Sequence, residues 1–177
     1  ITKGEQHAEE FLALSPNNKI PAIVDHANGI QLMESGAILM YLAHKTGKLM
    51  SPIGEKFWKE MEWLMLQMGS IGPMLGQTHH FVKFNPGKSS YAEERYRKEN
   101  IRLYGVLEKR LKGLDYLCET YSVADIATWP WISRYEFQEM NLNYYPRLKD
   151  WYLRIAERPA VKRGYAVPAL LPIPMPN

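Results

Sequence analysis

The chain has 177 residues, 46% hydrophobic and 23% charged, with a formal net charge of +3. That length suffices for one domain with a sizeable core, or for a small domain joined to a larger one. Lysines and arginines are interspersed with acidic residues, as in residues 91–98, so no basic stripe marks nucleic acid as a partner, and no apolar run approaches the ~20 residues of a membrane helix.

The one cysteine, Cys118, excludes an intramolecular disulfide and a cysteine-built zinc site, which suits a reducing, cytoplasmic setting. The first ten residues are polar and charged and carry no signal-peptide pattern. Ile1 stands where Met is usual, in what reads as a loop, which sets the expectation of a missing upstream segment.

Residues Gln6–Leu14 read as a short helix with Phe11 and Leu14 turned inward. Ser15-Pro16-Asn17-Asn18 is a turn. Ile20–Val24 and Ile30–Leu32 are short strands about the Asn28-Gly29 signal of a β-hairpin. Proline early in a strand needs a special position, so Pro21 is a candidate cis residue. From Ser35 the period turns helical, with Ile38, Tyr41 and Leu42 on one face and Gly47 as the stop. Two strands alone are marginal, and a parallel strand with its crossover helix would complete such a sheet.

The remainder reads as all-helical. Phe57, Met61, Leu64 and Met68 form an amphipathic stripe, and Gly69, Gly72, Pro73 and Gly76 bend or interrupt it. Phe84–Ser90 is a loop, and Leu103, Leu107, Leu111 and Leu114 make the next helical stripe. Ser122 and Asp125 have the spacing of a capping box, with Tyr121 and Ile126 at the staple positions. Leu148, Trp151 and Ile155 line a last main helix after Pro146, and the proline-rich tail from Val167 is extended.

Two segments could carry chemistry. In Asn18-Lys19-Ile20-Pro21, a cis proline would present the Ile20 backbone to an extended peptide, with the Lys19 cation beside it. The alternative is an ordinary turn with a solvated lysine. In Glu34-Ser35-Gly36, helix-start amides and the Ser35 hydroxyl would receive a carboxylate while Glu34 holds an ammonium. The alternative is a plain N-cap. The hairpin brings the two segments close. Together they offer a cation, a backbone edge, an anion site and a carboxylate, which complement the charges of glutathione.

These residues carry a family resemblance. The stretch from Ser15 to Asp25 and Glu34-Ser35-Gly36-Ala37-Ile38-Leu39 resemble the N-terminal domain of glutathione S-transferases, and Ser122–Ala127 resembles the family's helix-capping motif. Gly72–Gln77, His79-His80-Phe81, Glu94-Arg95-Tyr96 and Trp129-Pro130-Trp131 are similar to the bacterial Nu class, which includes disulfide reductases.

The resemblance implies an incomplete thioredoxin-like α/β domain over residues 1–46, a linker over 47–54, and an all-α helical-bundle domain over 55–177. It implies that Lys19 faces the glycyl carboxylate of glutathione, that the Ile20 backbone before Pro21 pairs with the cysteinyl unit, and that Glu34 and Ser35 hold the γ-glutamyl end. Gln6 matches a further glutathione contact, and Arg95 matches an arginine near the sulfur. The thiol-activating residue of the family falls before Ile1, so no catalytic residue is assigned. The implied partners are glutathione, small electrophilic or disulfide substrates, and a second copy of the chain in a homodimer. The implied activity is glutathione-dependent thiol–disulfide exchange, with a non-catalytic glutathione-binding scaffold as the alternative.

Other signals are weaker. Gly87-Lys88-Ser89 has the ending of a phosphate loop, but Val82 stands where its first glycine belongs. Adjacent His79 and His80 do not share a helix face, so they read as helix-end or pocket-wall residues, and no metal is expected. Cys118 reads as a small apolar residue near a helix end. The tryptophans read as core, with Trp63 or Tyr91 as candidates to face a cleft. Met61, Met65, Met68 and Met74 read as core or dimer interface, with an adaptable hydrophobic pocket as the alternative.

Overall fold

The computed structural model describes residues 3–176 and divides the chain into two units, Ile1–Ser51 and Pro52–Asn177.

The first unit opens with one 3-10 turn, Glu5–His7, followed by helix α1, Glu9–Leu14. The single helix expected over Gln6–Leu14 is thus broken at Ala8, whose backbone is extended at φ −65°, ψ 142°. Strands β1 (Ala22–Asp25) and β2 (Ile30–Met33) pair antiparallel with Ala22 opposite Met33 and Asp25 opposite Ile30. Helix α2 spans Ser35–Thr46 and ends on Gly47 at φ 63°, a left-handed stop that glycine adopts freely. Ile38 and Ala43 are the buried apolar residues of α2.

A polar cluster ties the hairpin to α2. The Tyr41 hydroxyl and the Lys45 ammonium both bond to Asp25 Oδ2, and Asn28 Nδ2 donates to Tyr41 Oη at 2.9 Å. The Lys45 bond first, then the Tyr41 bond, hold the Asp25 carboxyl down at about 2.

In the second unit, helix α3 (Glu55–Leu66) runs into a π-helical segment, Gln67–Ile71, then α4 (Gly72–Thr78) and a second π segment, His79–Phe84. The glycines and Pro73 therefore do not interrupt the rod. A widened turn absorbs them, as is usual for a π-bulge, and Pro73 lies within the first two positions of α4, where its missing N–H is harmless. Gly72 fits closely there: a Cβ would come within 2.7 Å of Gln67 Nε2 and 3.3 Å of the Trp131 ring, so both side chains would have to shift. The loop expected over Phe84–Ser90 is shorter at both ends, because the second π segment includes Phe84 and α5 begins at Ser90.

Helix α5 covers Ser90–Arg110, capped by the Ser89 hydroxyl, which accepts from the Ala92 N–H at 3.3 Å. It stops one residue before Leu111, so Leu111 and Leu114 of the leucine stripe lie beyond it. Then follow α6 (Val123–Ile132), α7 (Pro146–Ala156) and α8 (Pro159–Tyr165). Leu75, Leu103, Leu107, Ile132, Leu148, Trp151 and Ile155 form one buried core. The extended tail is held by Tyr152 Oη, which donates to the Pro174 carbonyl at 2.6 Å, and Ile173 packs on the core.

Asp125 is fully buried and accepts four hydrogen bonds. They come from Leu117 N–H at 2.8 Å, Ser122 N–H at 3.0 Å, Ser122 Oγ at 3.3 Å and Trp151 Nε1–H at 2.8 Å. The Ser122–Asp125 capping box is complete. Burial pushes the carboxyl up despite these donors. Asp125→Asn puts an NH2 group among donors and strips buried N–H groups of their acceptor. A loss of about 2–5 kcal/mol is expected in chemical denaturation.

A second buried cluster joins α4, α5 and the 3-10 turn Tyr135–Gln138. Thr78 Oγ1 donates to Asn100 Oδ1 at 2.8 Å, and Asn100 Nδ2 donates to the Gln138 carbonyl at 3.2 Å. Gln138 Oε1 accepts from Tyr104 Oη at 2.5 Å, and its Nε2 reaches the Trp131 carbonyl at 2.8 Å and His79 Nε2 at 3.0 Å. An amide nitrogen only donates, so His79 Nε2 accepts and the ring is neutral with its proton on Nδ1.

Burial, then Arg134, lower the His79 pKa below the 6.5 of a free imidazole. The unfolded chain therefore takes up this proton first. Stability is held above pH 6.5 and falls as pH drops below it through the folded-state pKa. Replacement of His79 by Gln should flatten this acid limb in thermal melts recorded across that range.

Candidate functional site

Six of the seven sequence-predicted site residues lie in the first unit, around the start of β1 and the end of β2. The pairing of Ala22 with Met33 places Pro21 one step from Glu34 across the same ladder end. The Ile20–Pro21 peptide bond is cis, and the Ile20 side chain is 62% exposed. Lys19 is exposed beside it.

The loop ahead of β1 is shaped by Ser15, Asn17 and Asn18 of the Ser15–Asn18 turn. Ser15, 1% exposed, donates through Oγ to the Lys19 carbonyl at 2.8 Å, receives the Lys19 N–H at 3.4 Å, and lies 4.0 Å from Met33 Sδ on β2. Asn17 Nδ2 donates to Glu34 Oε1 at 3.3 Å, linking the two candidate segments directly. Asn18 sits at φ 61°, a conformation that asparagine tolerates better than most residues, and its Nδ2 bonds to His7 Nδ1 at 2.9 Å. Gln6 Nε2 meets His7 Nε2 at 3.3 Å, so Gln6 joins the same cluster through His7. Tandem asparagines after a proline were the available signal. Their partners, separated in sequence, were not.

Glu34, rather than Ser35, occupies the cap position of α2, at φ 71°, ψ 117°, and Ser35 is the first helical residue. Ser35 stands at the opening of the helix, where N–H groups lack intrahelical partners. His7 lies between the two amides, and since a neutral imidazole accepts at one nitrogen and donates at the other, the Gln6 and Asn18 amides cannot both donate to it. The cluster thus gathers a cation, a carboxylate, helix-start amides and two side-chain amides.

Arg95 belongs to the second unit. It lines a cleft of about 500 Å³ with Met74, Tyr91, Tyr96, Glu99 and Arg102. Arg102 Nη2 bonds to Glu99 Oε1 at 2.6 Å, and this bond first, then the nearby charges of Arg102 and Arg95, lower the Glu99 pKa despite partial burial. Tyr96 stacks on Phe81 with centroids 5.6 Å apart. Of the two aromatic cleft candidates, Tyr91 lines this cleft, 75% exposed, whereas Trp63 is 9% exposed and packs in the core.

Cys118 lies in the irregular segment between α5 and α6, 4% exposed. Burial first, then the Asp125 carboxylate, push its thiol up to about 11, which leaves almost no thiolate at neutral pH. Among the described residues no group of acidic residues, histidines and cysteine could hold a metal ion, and no helix is long and apolar enough to cross a membrane.

Family models of the glutathione S-transferase N-terminal and C-terminal domains match residues 1–44 and 71–159. Over 166 residues the chain is 51% identical to the disulfide-bond oxidoreductase YfcG of Escherichia coli, spanning 90% of this chain and 77% of that protein. It is 36% identical over 177 residues to the disulfide-bond oxidoreductase YghU of the same organism, spanning 94% and 62%. A solved glutathione transferase from Pseudomonas putida, with one glutathione disulfide bound per subunit, superposes with a TM-score of 0.88 at 39% identity, covering 95% of this chain and 78% of that one. With a thioredoxin-like two-stranded unit preceding a helical unit, and both family domains matched along its length, the chain belongs to the glutathione S-transferase family.

Proposed function

We propose that this protein is a glutathione-dependent thiol–disulfide oxidoreductase of the cytoplasm. The observation that carries this reading is the 51% identity to a disulfide-bond oxidoreductase. The geometry of the first unit supports it. Lys19 receives the glycyl carboxylate, the Ile20 backbone pairs with the cysteinyl unit, and Glu34 with Ser35 and the α2 amides hold the γ-glutamyl ammonium and carboxylate. Gln6 adds a side-chain amide to the same cluster.

In the exchange, a glutathione thiolate attacks one sulfur of the substrate disulfide and expels a thiolate. A second glutathione resolves the mixed disulfide, so two glutathiones are oxidised to one disulfide as the substrate is reduced to two thiols. The sulfur chemistry resides in glutathione, and the protein binds and orients it. Cys118, buried and protonated, takes no part.

Turnover of glutathione with a small symmetrical disulfide, followed by coupled reduction of glutathione disulfide, tests the assignment. Ser35→Ala should lower kcat/KM by roughly ten- to hundred-fold, the loss of about 1.5–3 kcal/mol for a bond to a charged group. Lys19→Ala should raise KM for glutathione and weaken its salt dependence. Cys118→Ser should retain full activity. Activity lost in Cys118→Ser and kept in Ser35→Ala would overturn the reading, and binding of glutathione without turnover would replace it with the scaffold.

The same proposal includes a homodimer. Trp58, Met61 and Met65 fall on one face of α3 by helical spacing, with Trp58 60% and Met65 45% exposed. A charged residue on that stripe, as in Met65→Glu, should halve the mass seen in light scattering. An unchanged dimer would remove this face from the interface.

A further inference from the structure

Asn28 and Gly29 form the tip of the β1–β2 hairpin, and the proposed reaction uses neither. Asn28 is the only asparagine of the chain that precedes a glycine. Both residues are exposed. Gly29 sits at φ 75°, and no atom lies within 4 Å of where its Cβ would be, so no side chain shields the Gly29 side of the turn.

The Asn28 side chain is held at both ends. Oδ1 accepts the Ile30 N–H at 3.1 Å, and Nδ2 donates to Tyr41 Oη at 2.9 Å. The first bond polarises the side-chain carbonyl and offers a donor to the negative charge that grows on Oδ1 when a nucleophile adds to Cγ. The second places a hydroxyl beside the nitrogen that would leave. Against this, the Gly29 N–H is bonded to the Asp25 carbonyl at 2.8 Å, so the reaction starts from the locally opened turn, a low-energy fluctuation for an exposed hairpin tip.

We propose that Asn28 is a self-modification site whose conversion to an acid uncouples the hairpin from α2. The Gly29 backbone nitrogen attacks Asn28 Cγ and loses its proton to solvent. The Cγ–Nδ2 bond breaks and ammonia leaves with a proton taken back from solvent. The resulting succinimide is opened by water at either carbonyl, leaving aspartate or isoaspartate. No electrons are transferred.

The product loses the Nδ2–H donor and turns a carboxylate toward Tyr41, whose proton is already given to Asp25. A second negative charge thus arrives beside the Asp25–Lys45 pair. Isoaspartate also adds a backbone methylene to the turn that sets the strand register. Any effect on glutathione rests on the function proposed above. The modification and its effect on stability do not.

The test is incubation of the purified chain at neutral and mildly alkaline pH, followed by tryptic mapping. The peptide Ile20–Lys45 contains Asn28 as its one asparagine. Expected are the mass gain of amide-to-acid conversion in this peptide, labelling by an isoaspartyl methyltransferase, and a rate that rises with pH and leads that of Asn17, Asn18, Asn100, Asn141 and Asn143. An intact Asn28, or conversion no faster than at those positions, overturns the site. The coupling is read separately from the melting temperatures of Asn28→Asp, Tyr41→Phe and the double variant. A lower midpoint in each single variant with no further drop in the double variant supports it, and a wild-type midpoint for Asn28→Asp overturns it. Neither readout uses glutathione, so an absence of turnover in fresh protein would fail the functional reading while leaving this one standing.

Discussion

A carboxylate without access to water sits where three parts of the helical unit meet. Asp125 caps α6, holds the backbone of Leu117 in the segment that leads into it, and receives the indole N–H of Trp151 from α7. Burying a carboxylate is strongly unfavourable unless its lone pairs are used, and here four donors converge on two oxygens. The arrangement works in one geometry only. If α6 turns or α7 slides, a buried donor is orphaned along with the carboxylate. The apolar core around Trp151, Leu148 and Ile132 supplies the bulk of the burial, while Asp125 selects which packing of those apolar faces is allowed.

The first unit solves a smaller version of the same problem with less core. Few of its residues are buried, so polar contacts at element ends do much of the positioning. At one end of the hairpin, Asp25, Tyr41, Lys45 and Asn28 tie the turn to α2. At the other, Ser15 and Asn17 join the loop before β1 to the end of β2 and the cap of α2. The glutathione-reading groups proposed in this unit, Lys19, Ile20, Glu34 and Ser35, sit at that second end. Their spacing is therefore fixed by a strand register and two side-chain bonds, not by a packed interior. Such a site is exposed enough for ligand entry, and it depends on the integrity of the hairpin.

The π segments flanking α4 have a related logic. Widening the turn at Gln67–Ile71 lets Gly72 approach the Trp131 ring, a contact that a Cβ would crowd at 3.3 Å. The second widened turn delivers His79 to Gln138 and to the face of Trp131, with centroids 5.9 Å apart. The histidine is thereby a neutral ring hydrogen-bonded to Gln138 and stacked on Trp131, and its protonation acts on stability.

Much of this was legible in the sequence. The Asn-Gly turn, the glycine stop of α2, the Ser122–Asp125 capping box, the helical spacing of Leu103 and Leu107 and the special position of Pro21 follow from local rules: backbone preference, period and capping chemistry act over a few residues. The family motifs likewise placed the candidate glutathione contacts by number. What the sequence left open involved partners distant along the chain. Ser15 and Asn17 look like ordinary turn residues until β2 returns beside them, and Glu34 rather than Ser35 takes the cap only because the chain leaves the sheet at positive φ. The glycines of 69–76 read as breakers because local propensity disfavours them in a helix, whereas close packing against Trp131 favours one of them there. The burial of Trp63 and Cys118, and the exposure of Tyr91, were likewise decided by tertiary packing, since one helical period can describe a core face and a cleft wall equally well.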